Sequence, residues 1–285
     1  MANIQHFYDK PTGTLSYVVS DPASSKAAII DPVLGYAMSS GRTDTTPSDL
    51  LVDYIRENGL TLEWILETHA HADHLSGAQH IKSKLGGTIA IGERIRKVQA
   101  HFGPVFNMVD SIQENGSDFE RLLTAGEVIS IGDLNCKVIA TPGHTNDSVS
   151  YKIGSAVFVG DSLFMPDFGT ARCDFPGGDA ELLFDSIRKL LSLPGETQLY
   201  MCHDYKPGGR ELRWMCTVED QKCENIHTAD GVDKADFVKM RTERDASLDL
   251  PALIVPSIQV NIRAGHLPEE DDNGITYLKT PVDTL

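Results

Sequence analysis

The chain has 285 residues, of which 41% are hydrophobic and 23% are charged, and its formal net charge is -16. These proportions are typical of a soluble globular protein with a sizeable core, and the length suits one α/β sandwich or barrel with extensions. Nucleic acids and anionic membranes repel such a negative surface, so neither is an expected partner. A small anionic substrate would need a local cluster of cations.

The cysteines and the first residues indicate the compartment. Five cysteines occur without any C-x-x-C pair, which favours free thiols in a reducing environment over a disulfide framework. Residues 1–10 are polar and lack the apolar core of a signal peptide, and no stretch reaches the roughly 20 apolar residues of a membrane helix. A cytoplasmic location is therefore predicted. The sequence does not decide the oligomeric state, and a homodimer stays open.

The first 120 residues alternate between predicted strands and helices. A helical spacing of apolar residues begins after Thr46-Pro47-Ser48 and stops at Asn58-Gly59. Residues 102–118 are predicted to form an irregular surface segment. The predicted strands are 15–20, 26–31, 64–66 and 88–91, and a second predicted helix covers about 76–85.

The rest of the chain repeats this alternation and then changes after residue 203. The predicted strands are 128–131, 136–140, 148–153, 157–160 and 198–202, and the predicted helices are 180–191, 218–227 and 234–246. Four prolines predict a mostly extended or irregular course over 249–285. We therefore expect an α/β fold, an αββα sandwich with a C-terminal helical and extended tail. A catalytic domain is predicted at 1–213, with a C-terminal extension at 214–285 packed on the same domain.

The segment His69-x-His71-x-Asp73-His74 is the most specific pattern in the chain. Residues two apart in extended backbone point the same way, so His69 and His71 can face one ion. If the chain then turns into a helix near Leu75, Asp73 and His74 face a neighbouring position.

Three more polar residues follow predicted strands far along the chain: His144, Asp161 and His203. If these strand ends share one edge of the sandwich, their side chains converge with the first segment in one cleft. Capping or ordinary hydrogen bonding explains one such residue but explains seven at strand ends poorly. Imidazole and carboxylate ligands suit zinc, iron or manganese, so the pattern predicts a metal site.

This ordered set resembles the metallo-β-lactamase superfamily over about residues 7–213. Two segments are similar to the persulfide dioxygenases within it, namely 167–175, which resembles their Gly…Arg-x-Asp-Phe signature, and His203-Asp204-Tyr205. Segments 207–210 and 261–265 resemble the bacterial branch also called β-lactamase hydrolase-like proteins. The resemblance implies a sandwich of the metallo-β-lactamase type.

In the persulfide dioxygenases one ferrous ion is held by two histidines and one aspartate. The resemblance assigns these catalytic metal ligands to His69, His144 and Asp161, one iron per chain, with open positions for O2 and substrate. The remaining residues of the pattern would orient the ligands and bound waters or hold a second metal ion. These residues are His71, Asp73, His74 and His203.

The implied reaction takes glutathione persulfide and O2 to sulfite and glutathione, as in sulfide detoxification. The same ligands can hold two zinc ions, so a zinc-dependent, glyoxalase-II-like thioester hydrolase is the alternative. A non-catalytic persulfide sensor is a third hypothesis, which the intact ligand set disfavours. Because redox-inert zinc cannot activate O2, the metal decides the reaction class.

Glutathione carries two carboxylates, and a small group of cations lies in or beside the motif segments. Arginine forks pair bidentately with carboxylates, and a tyrosine hydroxyl can donate a hydrogen bond. Alternatively, Arg172 pairs with Asp174 or Asp167 to hold its own loop. The predicted substrate-binding residues are Arg172, Tyr205, Lys206, Arg210 and Arg213.

Overall fold

The computed structural model describes residues 1–108, 112 and 115–285. Its first sheet has six strands in the order β1-β2-β3-β6-β8-β9. The order is antiparallel from β1 to β3 and parallel from β3 to β9. The strands are β1 (Asn3–Asp9), β2 (Thr14–Ser20), β3 (Lys26–Ile30), β6 (Thr61–Leu66), β8 (Thr88–Gly92) and β9 (Arg121–Leu123).

The second sheet has six strands in the sequential order β10 to β15. All its pairings are antiparallel except that of β13 with β14. These two parallel strands are connected by the helix α4 (Ala180–Leu191). The strands are β10 (Val128–Ile131), β11 (Leu134–Ala140), β12 (Val149–Ile153), β13 (Ala156–Phe158), β14 (Gln198–Tyr200) and β15 (Met215–Thr217).

The core between the sheets follows from alternation along each strand. In β2, Leu15, Tyr17 and Val19 join the apolar cluster that includes Tyr151 of the second sheet, whereas Val18 belongs to a separate cluster. That separate cluster contains the buried faces of the helices packed on the first sheet. A strand with a buried residue on both faces lies inside a layered structure. The predicted αββα sandwich is confirmed.

The helices cover the outer faces of the two sheets, and a small sheet of β5, β4 and β7 lies beside them. Two helices were not predicted from the sequence, α3 and α7. The helices are α1 (Thr46–Glu57), α2 (Ala78–Leu85), α3 (Ile95–Val105), α4 (Ala180–Leu191), α5 (Val218–Glu224), α6 (Lys234–Asp245) and α7 (Ile254–Asn261). The small sheet is formed by β4 (Val33–Ala37), β5 (Arg42–Asp44) and β7 (Leu75–Ser76).

The irregular course predicted for 102–118 is wrong at its start, because α3 continues to Val105 despite Pro104. The prediction for 109–111 and 113–114 lies outside the described residues. The mostly irregular course predicted for 249–285 is wrong over α7. Pro256 is the third residue of that helix, where its missing N–H needs no intrahelical partner.

The boundary predicted at residue 213 separates segments that contact each other in the structure. Strand β15 lies beyond it yet pairs with β14, and α7 contacts β7. The division into 1–213 and 214–285 stays a prediction. Among the described residues, no helix combines the length and apolar character that crossing a membrane requires.

Candidate metal centre

The seven residues of the metal pattern meet where the two sheets present their strand ends. The first sheet supplies the loop that follows β6 at Leu66 and carries the segment from His69 to His74. The second sheet supplies His144 after β11, Asp161 after β13 and His203 after β14. All of them are buried except Asp73, which is partly exposed. The structure therefore brings together all seven residues that the sequence pattern selected.

Two glycines let the second sheet approach the first closely at this edge. Gly143 has φ +142, and a Cβ there would lie 2.3 Å from the Cα of Leu183 in α4. Gly160 has φ +54, and a Cβ there would lie 2.9 Å from Thr68. Only glycine accepts both the backbone conformation and the missing space. These two contacts place His144 and Asp161 against the loop of the first sheet.

Ligand atoms of His69, His144 and Asp161 all lie within 4.8 Å of one another. Asp161 Oδ2 is 4.0 Å from His69 Nε2 and 3.6 Å from His144 Nε2. The other oxygen of this carboxylate, Oδ1, is 3.4 Å from His203 Nε2, which in turn is 3.2 Å from Asp73 Oδ2. Asp161 thus stands between two groups of candidate ligands.

A chain of hydrogen bonds sets the tautomer of His69. The Thr68 hydroxyl donates to Asp31 Oδ2 at 2.9 Å, so its oxygen is free to accept from His69 Nδ1 at 3.0 Å. The proton of the neutral imidazole is therefore on Nδ1, and Nε2 presents its lone pair to the centre. Asp31 fixes this ligand without contacting it.

Three further histidines, His71, His74 and His144, are oriented in the same manner, each by a bond at the ring nitrogen that faces away from the centre. His71 Nε2 donates to Asp31 at 3.0 Å, and His144 Nδ1 donates to the carbonyl of Arg172 at 2.7 Å. His74 Nδ1 lies 3.2 Å from the carbonyl of Leu75. Such supporting bonds are the usual partners of histidine ligands to metals.

The atoms that face the centre are buried and have no hydrogen-bond partner among the described residues. Buried polar atoms are rarely left unpaired in native proteins, so this concentration of them in one place calls for a shared partner. A metal ion satisfies all of them with the right chemistry, since each is a nitrogen or oxygen lone pair. These atoms are His69 Nε2, His71 Nδ1, Asp73 Oδ2, His74 Nε2, Asp161 Oδ1 and His203 Nε2.

Burial and neighbouring charges prepare most of these groups to bind a cation. Burial, together with the neighbouring histidines, lowers the pKa of His69 well below its ordinary value and that of His74 to about 3. Burial would raise the pKa of Asp73, but the charges of His203 and other histidines lower it to about 2. Neutral imidazoles and ionised carboxylates are the forms that bind metals.

His71 differs from the other histidines. Burial would lower its pKa, but the charge of Asp31 and the hydrogen bond to it raise that pKa to about 10. A proton on the buried Nδ1 atom would have no acceptor among the described residues. A cation at Nδ1 would replace that proton and keep the bond to Asp31.

Next to the centre lies a cavity of about 240 Å³. Asp73, His144 and Asp161 line it on the side of the metal centre. The ring of Tyr205 stacks parallel to that of His203 at 5.5 Å and contacts Phe168 at 4.9 Å. The remaining lining residues are Ala72, Phe164, Thr170, Ala171, Arg172, Arg241, Arg244, Leu248 and Pro251.

Two of the three predicted substrate-binding arginines, Arg172 and Arg210, are already paired with carboxylates. Arg172 forms a bidentate pair with Asp174 and donates to the carbonyl of Asp249. Arg210 lies between Asp167 and Asp204 and contacts both. Each guanidinium therefore holds loops together, which is the alternative that the sequence left open for Arg172.

The other predicted substrate-binding residues lie in different surroundings. Tyr205 lines the cavity. The ammonium of Lys206 lies over the ring of Tyr8 at 5.4 Å, and Arg213 is exposed and donates its backbone N–H to Asp204. Neither Lys206 nor Arg213 lines the cavity.

Comparison with known proteins places the fold and the site in a family. The model of the metallo-beta-lactamase superfamily matches residues 9–203. The chain belongs to this superfamily. The match covers all seven residues of the metal centre, and the predicted resemblance is confirmed.

Three relatives of this chain have different names. Glyoxylase B2 of Dictyostelium discoideum is 49% identical over 100% of this chain and 98% of its own length. A beta-lactamase hydrolase-like protein of Xylella fastidiosa is 46% identical over 99% of this chain and 65% of its own length. The mitochondrial persulfide dioxygenase ETHE1 of Homo sapiens is 28% identical over 92% of this chain and 88% of its own length.

A solved structure is similar to most of the chain. The crystal structure of ETHE1 from Myxococcus xanthus has a TM-score of 0.74 at 29% identity and covers 93% of this chain and 100% of that chain. The likeness therefore extends over most of this chain.

Two residues that support the metal centre were missed from the sequence. Asp31 accepts from Thr68 and His71, and it directly follows β3, so the strand-end rule that selected the ligands would have found it. Asn261 donates to the carbonyls of His71 and His74 at 2.7 and 2.8 Å and accepts from Ser76 N–H at 2.7 Å. The sequence selected Asn261 only as the first residue of segment 261–265, without a role at the metal centre.

Proposed function

We propose that this superfamily member is an iron-dependent persulfide dioxygenase that oxidises glutathione persulfide with O2 to sulfite and glutathione. One observation carries the proposal: the cluster of His69, His144 and Asp161 opens into a cavity with aromatic walls. Two histidines and one carboxylate leave open coordination positions for substrates, which is the arrangement of non-haem iron oxygenases. The likeness to the ETHE1 proteins over more than 90% of the chain supports the same reading.

The proposed reaction consumes one persulfide, one O2 and one water and yields one thiol and one sulfite. The sulfur–sulfur bond breaks, both atoms of O2 end on the terminal sulfur, and water supplies the third oxygen. When bound, Fe(II) supplies the change of oxidation state that O2 activation requires. Isotopically labelled O2 should therefore place two labelled oxygens in each sulfite that is trapped before its oxygens exchange with water.

The aromatic residues of the cavity hold the sulfur end of the substrate and exclude water. Phe164, Phe168 and Tyr205 contact one another at ring centroid distances of 4.9 to 5.7 Å. Sulfur makes favourable contacts with aromatic rings, so this wall suits a persulfide better than a strongly hydrated group. Phe164 and Tyr205 of this wall also contact the ring of His203. A persulfide that binds along the wall is therefore directed to the metal centre.

Arg244 is the proposed partner of a glutathione carboxylate. It is exposed, lines the cavity, and has no side-chain hydrogen bond or ion pair with another described residue. Arg241, one turn earlier in α6, also lines the cavity and pairs with Asp245. Arg172 and Arg210 would first have to break their pairs with carboxylates, which makes Arg244 the better anchor.

Metal analysis combined with an oxygen electrode tests the proposal. We expect about one iron per purified chain and O2 uptake only when a persulfide is supplied. His144→Ala should abolish uptake, and His101→Ala, a change of an exposed histidine, is the matched control. Two zinc ions per chain with no O2 uptake would contradict the proposal.

A zinc-dependent thioester hydrolase is the second candidate, because a further set of unpaired atoms can hold a second ion. His71, Asp73 and His74 offer ligand atoms within 4.8 Å of one another. The name of the Dictyostelium relative, glyoxylase B2, agrees with this candidate. Hydrolysis of a glutathione thioester by the zinc-loaded protein, without turnover of persulfide by the iron-loaded protein, would favour it. Persulfide binding without any turnover would favour the sensor hypothesis.

A further inference from the structure

A second cavity, of about 310 Å³, lies where the end of α7 meets the C-terminal segment. Gln259, Arg263, Glu269, Tyr277 and Lys279 contribute to its wall. It shares no lining residue with the cavity at the metal centre. Nothing in the proposed reaction uses these residues.

Arg263 is the unusual member of this wall. Its exposure is only 8%, and its guanidinium forms no hydrogen bond or ion pair with any other described residue. The other largely buried arginines behave differently, since Arg172 pairs with Asp174 and Arg241 pairs with Asp245. Burying an unpaired charge is costly, so a buried arginine that faces a cavity calls for an anion.

Lys279 places a second cation on the same wall, and its position is fixed by hydrogen bonds. Its backbone N–H and C=O pair with the side-chain amide of Gln259 at 2.8 and 2.9 Å. Its ammonium donates to the carbonyl of Asn107 at 2.8 Å and keeps two further donors. These hydrogen bonds hold Lys279 beside α7, the helix that Arg263 follows, before any ligand binds.

The charge balance of this wall is opposite to that of the whole chain. The chain has 41 acidic and 25 basic residues, yet among the described residues the lining combines Arg263 and Lys279 with a single carboxylate, that of Glu269. Glu269 is exposed, and it forms no ion pair with either cation in the described part of the chain. The local field therefore favours a negative ligand.

We propose that this cavity is a binding site for a small oxyanion, one with carboxylate, phosphate or sulfate oxygens. The planar fork of Arg263 donates two parallel hydrogen bonds to such a group, and Lys279 adds a point charge. Arg263 lies two residues beyond Asn261, whose side chain holds the loop of His71 and His74. A bound anion thus stabilises the end of α7 that clamps the metal centre.

Calorimetric titration of the metal-loaded full chain tests the site, with inorganic phosphate, sulfate and succinate as separate probes at constant ionic strength. We expect saturable binding of at least one probe. Arg263→Gln should weaken it by about tenfold or more, and Lys279→Gln should weaken it several-fold. Glu269→Gln should tighten it, because that change removes a negative charge from the wall. Lys137→Gln, a change of an exposed lysine in β11, is the matched control and should leave binding unchanged.

Amide hydrogen exchange separates this site from anion binding at the metal. Binding in the cavity should slow exchange over 254–264, and the Lys279→Gln variant should need a several-fold higher probe concentration for the same effect. Absence of saturable binding with all three probes would overturn the proposal, and so would affinities that Lys279→Gln and Glu269→Gln leave unchanged. A loss of stability in Glu269→Gln without tighter binding would show that Glu269 is the true partner of Arg263. If Arg263→Gln does not fold, the other two variants still decide.

Discussion

The polar groups differ between two regions of the site. The first is the metal centre, here called the metal face, and the second is the set of loops around the neighbouring cavity, here called the rim. At the metal face, His69 Nε2, His71 Nδ1 and Asp161 Oδ1 are buried atoms without a hydrogen-bond partner among the described residues, and the two imidazoles are held by hydrogen bonds at their other ring nitrogens. At the rim, Arg172 pairs with Asp174, and Arg210 pairs with Asp167 and Asp204, which neighbour the lining residues Phe168 and Tyr205 in the chain. Both regions carry the residue types of a functional site. Saturated pairs hold the structure together, whereas buried unpaired atoms identify the site.

The largest effect should come from removing the carboxylate between the two ligand groups. Asp161→Ala should lower metal affinity by at least about 100-fold and abolish persulfide oxidation, because Asp161 faces His69, His144 and His203 at once. Metal content after dialysis and O2 uptake measure the change. Asp53→Ala, at an exposed position of α1, is the matched control. Undiminished metal content would show that the ligand assignment is wrong.

The support of the metal face should matter next. Asn261→Asp keeps the acceptor for Ser76 but removes both donations to the carbonyls of His71 and His74. We expect the free energy of unfolding to fall by about 2 kcal/mol and metal affinity to fall about 10- to 100-fold. Denaturant unfolding and competition with a metal chelator measure these effects. A variant with reduced stability but normal metal affinity would limit Asn261 to a purely structural role.

The rim should respond at Arg244, which has no side-chain partner among the described residues. Arg244→Gln should raise the KM for glutathione persulfide about tenfold and leave kcat and the unfolding midpoint nearly unchanged. Lys239→Gln, another exposed cation of α6, is the control for the loss of one charge. A larger rise of KM in Arg210→Gln than in Arg244→Gln would reverse the comparison, because the paired arginine would then contact the substrate.

The smallest effect should come from breaking one pair of the rim. The hydrogen bond from Arg210 lowers the pKa of Asp167 below its ordinary 3.8. A lowered pKa stabilises the folded state above that ordinary value, and the stabilisation disappears as pH falls through the folded pKa. Asp167→Asn should therefore cost up to about 1 kcal/mol at pH 7 and progressively less below about pH 4. Urea unfolding at several pH values measures it, and a cost independent of pH would exclude the ion pair as its source.

Much of the architecture and the metal residues could be read from local patterns. The period of apolar residues predicted strands such as β8 and helices such as α1 and α4 close to their observed bounds. Residues at strand ends predicted the members of the metal centre. The prediction was wrong for α7, where the period of apolar residues is weak. Pro256 was taken as a sign of irregular chain, since a proline is compatible with a helix only near its start, and the sequence did not show where this helix starts.

The sequence by itself determined the kinds of atoms at the metal centre, because ligand chemistry is carried by residue type and by position after a strand. Only the tertiary structure decided which polar groups stay unpaired there. Arg172, Arg210 and Arg244 are the same residue type, and the fold decides their surroundings. Arg172 pairs with Asp174 two residues away but also donates to the distant Asp249, and Arg210 pairs with the distant Asp167. Arg244 has no side-chain partner among the described residues. The metal face is specified by spacing, whereas the rim is specified by which loops the fold brings together.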